Sequence, residues 1–206
     1  TCKKAIKALV LIFVFIWLFT LIQADLLNQS KIWVMVLITI VASIYQPDYY
    51  PFKAAKNKHD KGTALQIIWS VYVSQALILL EVTLLEYEAA MQWNLVSSIA
   101  MVAALAGLIV RSWAYLELGK FFTWHIDVQN NQAVIDTGPY HWVAHPGYSG
   151  ALLTYTATGI MFHAWFATLA SFAILFIAFI RRIKYEEKHL MSELGNEYEK
   201  FIATRS

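Results

Sequence analysis

The 206-residue chain is 59% hydrophobic and 15% charged, with a formal net charge of +2. An ordinary soluble domain is roughly 45–50% apolar and about 25% charged, so this is a membrane-protein composition, and so small a net charge argues against nucleic acid as a partner. The single cysteine, Cys2, excludes an internal disulfide and any CxxC metal site.

A membrane-spanning helix needs about 20 mostly apolar residues. The first apolar run, Ala5 to Gln23, is too long for a signal-peptide core and reads as a retained span. Further runs follow at Lys31–Gln46, Ala64–Leu85 and Leu95–Leu118. After a polar interval come Ser149–Phe162 and Trp165–Ile183, separated only by His163 and Ala164, which predicts a tight helical hairpin with a short first arm. Hydropathy thus predicts an all-α, polytopic integral membrane protein of about six spans. With the N-terminus inside, the inner segments hold Lys3, Lys4, Lys7, Lys53, Lys56, Lys58, Lys61 and Lys120, then Arg181, Arg182, Lys184, Lys188, Lys200 and Arg205. The outer loops hold only Lys31. That asymmetry follows the positive-inside rule and predicts cytoplasmic N- and C-termini. Glu81 and Arg111 fall near the ends of their spans, so snorkelling to the interface is the expectation for both.

The inner connector over 119–147 is long, and structureless connectors of that length are usually functional. Its end reads TGPYHWVAHPGYSG, residues 137–150, which holds two of the chain's four prolines and three of its eight glycines. Gly138-Pro139 and Pro146-Gly147 are turn dipeptides that bend the backbone tightly beside Tyr140, Trp142 and Tyr148. Trp142 fits an interfacial aromatic belt; the two tyrosines flank the proline turn, where they can pack on a flat ring. His141 and His145 are four apart, but Pro139 and Pro146 interrupt a helix through them and no third ligand is near, so no metal site is expected. His125 and His163 read as loop or interface residues.

Past the last span the sequence alternates charge with Leu190, Leu194, Phe201 and Ile202, as a helix running on into the cytoplasm with a break near Gly195. Arg182 and Glu186 share a face of that helix, and Glu187 is next round. Two readings stand side by side. One is a solvated ion pair at the membrane exit, of little energetic weight. The other is a charged pair lining a pocket under the connector, with a carboxylate for ribose hydroxyls or an amino group and an Arg for a substrate carboxylate. There is no GxGxxG, P-loop, HExxH or GxSxG, so any ligand binds in a helical membrane frame.

TGPYHWVAHPGYSG, about 30 apolar residues, then RRIKYEEKHLMSELGNEYEKF, together resemble the isoprenylcysteine carboxyl methyltransferase family, with related phospholipid N-methyltransferases sharing much of the pattern. The resemblance runs from Leu118 to Phe201 and divides the chain into N-terminal spans, 1–117, and a methyltransferase-like region, 118–206. It implies an S-adenosylmethionine-dependent enzyme in a bacterial inner membrane or the endoplasmic reticulum, whose lipophilic or prenylated substrate enters from the bilayer. It further implies cofactor contacts at Gln132, Ala133, Val134, Ile135, Tyr140, His145, Pro146, Gly147, Tyr148, Glu186 and Glu187, and more loosely at His125. Arg182 would face the substrate, and Arg182, Glu186 and His145 would carry the chemistry. The family motif reads Arg-His-Pro where this chain has Ala144-His145-Pro146, a loss of five donors and a fixed positive charge. A non-catalytic relative is therefore one alternative, and an NADPH-dependent membrane sterol-type reductase, which has a similar C-terminal arrangement, is another.

Overall fold

A computed structural model describes residues 19–21, 23–44, 60–86, 88–126, 128, 129 and 132–205. Among these residues the fold is all-helical, with no strand. The main helices are α1 (Ser30–Ile44), α2 (Thr63–Leu85), α3 (Leu95–Leu118), α4 (Pro146–Met161), α5 (Trp165–Leu194) and α6 (Asn196–Ala203). Helices α2, α3 and α5 are each long and apolar enough to cross a membrane, and the protein is an integral membrane protein. Helix α1, of 15 residues, and α4, of 16, are shorter than the roughly 20 residues of a full crossing. The predicted first span, Ala5–Gln23, lies mainly outside the described residues, as does the end of the second past Ile44.

Local chemistry sets the helix ends. Asn94 opens α3 with a capping box: its side chain accepts from the Ser97 N–H and the Ser97 hydroxyl accepts from the Asn94 N–H. Pro146 opens α4, where its missing N–H costs nothing. Helix α5 stops at Gly195, whose φ of 58° lies in the left-handed region that a side chain disfavours. At 1.5 Å per residue its 30 residues extend about 45 Å, so its last third projects beyond a hydrocarbon core of about 30 Å.

The helices meet closely. A Cβ added at Gly107 of α3 would lie 2.6 Å from the Gly150 carbonyl oxygen, and one at Gly150 of α4 would lie 2.7 Å from that of Gly107. Gly159 of α4 abuts Thr168 of α5 in the same way. All three glycines therefore serve packing inside one chain.

The turn Phe162-His163-Ala164 between α4 and α5 is held by two charged side chains from elsewhere in the bundle. Lys31 is fully buried, and its Nζ donates to the carbonyls of Met161 (2.8 Å) and Ala90 (2.9 Å). Glu81 is also buried and accepts from the backbone N–H groups of Phe166 (3.3 Å) and Ala167, the first turn of α5. A cation thus sits at the C-terminus of one helix and an anion at the N-terminus of the next, each favoured by the local helix dipole. This corrects the expectation that Glu81 snorkels: unpaired helix N–H groups satisfy it in place of water. Arg111 does not snorkel either. It is 5% exposed, and its guanidinium lies 5.0 Å from the Tyr115 ring centroid, so an aromatic face replaces solvent. Glu81→Ala is expected to lower stability by about 1–3 kcal/mol, since two N–H donors would be orphaned in apolar surroundings. Thermal unfolding in detergent measures it, and an unchanged midpoint refutes it.

Candidate functional site

Where α5 projects past the bundle, its final turns, the connector 119–145 and helix α6 enclose a cavity. It holds about 940 Å³ of unfilled space, counting its open mouth. Its walls come from four places: Tyr115 and Leu118 at the end of α3; Phe122, His125, Gln132, Ala133, Val134, Ile135 and Tyr140 of the connector; Ala144, His145, Gly147 and Tyr148 at the start of α4; and Arg182, Glu186, Leu190, Leu194, Tyr198 and Phe201 from α5 and α6. Of these wall residues, Tyr140, Ala144, Tyr198 and Phe201 pack with Ala114 in an apolar cluster that binds α6 to α3 and the connector.

The polar side chains are arranged in two groups. In the first, the Tyr148 hydroxyl donates to Glu186 Oε2 at 2.5 Å, and Arg182 Nε donates to the Tyr148 oxygen at 3.3 Å while lying 3.5 Å from Glu186 Oε2. Arg182 is 4% exposed. Its Nη1 donates to Asp60, with which it forms an ion pair, and to Thr63 Oγ1 (3.0 Å); its Nη2 donates to the Trp124 carbonyl (3.0 Å). Four of its five N–H groups thus have protein partners. The pair is therefore no solvated ion pair at a membrane exit but part of a buried network. In the second group, His145 Nε2 lies 2.9 Å from Glu187 Oε1, which fixes the imidazole at the mouth of α4.

Burial pushes the phenols of Tyr140 and Tyr198 up, and the nearby Glu186 carboxylate adds to the effect in both. Each stays neutral at physiological pH and offers a π face and an uncharged hydroxyl. Glu186 Oε1 receives no hydrogen bond among the described residues, so one carboxylate oxygen is available to a ligand. No cluster of three metal-ligating side chains occurs among the described residues.

Most of the residues singled out from the sequence lie on this one cavity: Gln132 to Ile135, Tyr140, His145, Gly147, Tyr148, Arg182 and Glu186, with His125 beside them. Two do not. Pro146 is buried in the first turn of α4, and Glu187 faces His145 rather than the cavity. Sequence reasoning missed the α3 contribution of Tyr115, the apolar wall of Leu190, Leu194 and Phe201, and above all Asp60. The i, i+4 spacing of 186, 190 and 194 on an extended α5 is a signal for the apolar wall; nothing local marks Asp60. Ala144 puts a buried methyl group into the wall where the family motif carries a guanidinium. The cavity draws on both sides of residue 118, since Tyr115 lines it and Asp60 holds one of its charged groups.

Four relationships to known proteins bear on this site. The model of the isoprenylcysteine carboxyl methyltransferase (ICMT) family matches residues 98–192. A probable protein-S-isoprenylcysteine O-methyltransferase of Oryza sativa subsp. indica is 33% identical over 108 residues, 52% of this chain and 56% of the rice protein. The protein-S-isoprenylcysteine O-methyltransferase of Schizosaccharomyces pombe is 28% identical over 114 residues, 52% of this chain and 48% of its own. An uncharacterized protein of Bacillus subtilis, YpbQ, is 27% identical over 114 residues, 55% of this chain and 65% of its own. The chain spans about half the length of the methyltransferases it matches.

Proposed function

With residues 98–192 belonging to the isoprenylcysteine carboxyl methyltransferase family, we propose that this chain uses S-adenosylmethionine to methylate a carboxylate on a lipophilic acceptor, as in the carboxyl O-methylation of an isoprenylated cysteine. The observation that carries this reading is one cavity joining a hydrogen-bond-ready carboxylate, Glu186, to neutral aromatic faces and an irregular backbone segment, 132–135, at the end of an apolar bundle.

The residues present fit such a cofactor. A carboxylate oxygen without a partner suits ribose hydroxyls or an ammonium group. Tyrosine faces suit both a flat base and a cationic sulfur centre. The cofactor, when bound, supplies an electrophilic methyl group on a sulfonium. The protein's part is then placement. Glu186 and the backbone of 132–135 fix the cofactor; the His145-Glu187 pair holds the turn into α4; Leu190, Leu194 and Phe201 keep water from the far wall. Arg182, with one N–H to spare, faces the acceptor carboxylate. That carboxylate is ionised at pH 7 and needs no general base. Orientation of this kind can supply roughly 7–11 kcal/mol of barrier lowering.

We place the cavity at the cytosolic face. Lys61, Lys120, Arg181, Lys184, Lys188 and Lys200 all lie at that end, whereas the described residues of the opposite end offer Lys31, which is buried and spent on carbonyls. The acceptor then enters from the bilayer side and the cofactor from water.

The test is calorimetry on the detergent-purified protein with S-adenosylmethionine, its demethylated product S-adenosylhomocysteine, and NADPH. Binding of the first two and none of NADPH is expected. Binding of NADPH alone overturns the reading in favour of a reductase.

A further inference from the structure

Asp60 lies outside residues 98–192 and outside every motif in the sequence, yet it is the most buried charged group near the cavity, at 0% exposure. Its position is built by the backbone. Lys61 and Gly62 follow it with φ of 48° and 76°, two successive left-handed residues, and a non-glycine residue in that region marks a conformation the surroundings enforce. The turn curls Asp60 over the start of α2. There its Oδ2 accepts from the Ala64 N–H (3.4 Å) and its Oδ1 from the Thr63 hydroxyl (3.2 Å). An anion at a helix N-terminus is stabilised in place, so this carboxylate is a fixed rather than a wandering charge.

The fixed charge has one strong partner, the Arg182 guanidinium. Arg182 has two carboxylates within reach, Asp60 and Glu186. Asp60 and Thr63 take both N–H groups of Nη1, and the Trp124 carbonyl takes one of Nη2. Only Nε is left toward Glu186, at 3.5 Å, and it is shared with the Tyr148 hydroxyl. At i, i+4 on one helix, Arg182 and Glu186 would otherwise pair directly, with the fork of the guanidinium on both carboxylate oxygens. Here they meet only through Nε, while the fork of the guanidinium lies on Asp60, Thr63 and the Trp124 carbonyl.

We propose that Asp60 is a positioning residue that holds the Nη fork of Arg182 away from Glu186 and so keeps Glu186 Oε1 open as a hydrogen-bond acceptor for the ligand of the cavity. The proposal rests on the reading of Glu186 as a cofactor acceptor given above and adds the residue that makes it available. It also ties the N-terminal half of the chain to the site, through a contact 122 residues apart in sequence.

The test is the affinity of S-adenosylhomocysteine in wild-type protein, Asp60→Asn, Arg182→Gln and the double variant. Asp60→Asn keeps the shape and removes the charge that holds the guanidinium. Arg182 then swings onto Glu186, and affinity is expected to fall roughly tenfold or more. Removing Arg182 as well removes the competitor, so the double variant is expected to recover to the level of Arg182→Gln alone. General loosening of the fold does not produce that recovery. Equal affinity in wild type and Asp60→Asn, or a double variant no better than Asp60→Asn, overturns the proposal while leaving the cofactor reading intact. A wild-type protein that does not bind S-adenosylhomocysteine overturns both. Should Asp60→Asn fail to fold, Thr63→Val removes the second acceptor of Nη1 by a milder cut. A smaller loss, again relieved by Arg182→Gln, is then expected, and no loss counts against the proposal.

Discussion

Glu186→Ala is expected to weaken binding of S-adenosylhomocysteine by roughly 10- to 100-fold, while Glu187→Ala, one residue on, costs much less. The two carboxylates differ in where they point. Glu186 is on the cavity wall with one oxygen held by Tyr148 and the other open. Its removal takes away a charge-assisted acceptor, worth about 1.5–3 kcal/mol in a partly desolvated site. Glu187 is turned to His145 and acts on the ligand only by fixing that ring. Calorimetry on both variants reads the difference directly. Equal losses would move Glu187 into the cavity, and no loss in Glu186→Ala would remove the carboxylate from the cofactor's contacts.

The second large effect concerns the contact of α3 with α4. Gly150→Ala is expected to destabilise the protein by about 3 kcal/mol or more, the upper end of overpacking costs. The new methyl group would meet the Gly107 carbonyl and the Arg111 backbone N at 2.7 and 2.8 Å, and backbone atoms cannot swing aside as a side chain can. The helices must separate, and the cavity they carry opens with them. Gly147→Ala, on the same helix one turn earlier, provides the contrast. Its nearest neighbour would be Tyr115 Cε1 at 3.8 Å, an ordinary contact, so the usual preference of a helix for Ala over Gly applies and stability is expected to rise by about 0.5–1 kcal/mol. Thermal unfolding of the two variants in one detergent decides it; the same sign for both would refute the account.

What the sequence disclosed and what it hid divide by distance along the chain. Helices α2, α3 and the start of α5 follow from runs of apolar residues, and the break at Gly195 follows from the residue type that most readily accepts its φ. The segment 137–150 could be singled out because prolines, glycines and aromatics are crowded into it. The cavity followed only because that segment and the RRIKYEE run form a recognisable pair. Contacts between distant residues left no trace. Asp60 meets Arg182, Glu81 meets the first turn of α5, and Lys31 meets the end of α4, each across scores of residues. Glu81 was misjudged for the same reason: an ionisable residue near the end of a span reads as reaching for water when the helix terminus that satisfies it comes from another part of the chain. Arg111 is covered by a ring of its own helix, Tyr115, at a spacing that reads equally well as ordinary span sequence.

The clamp of Lys31 and Glu81 on the turn 162–164 has a further consequence for the lipid around the protein. Sixteen residues of α4 rise about 24 Å, some 6 Å less than a hydrocarbon layer of about 30 Å. Set with Pro146 at one interface, α4 ends short of the other, and the turn's bare peptide groups lie at a depth where water is not available to them. The ammonium and the carboxylate stand in for that water. On that placement the bundle carries a hydrophobic mismatch on one side, which the leaflet beside this turn meets by thinning or bending, so that acyl-chain length becomes a variable the protein feels.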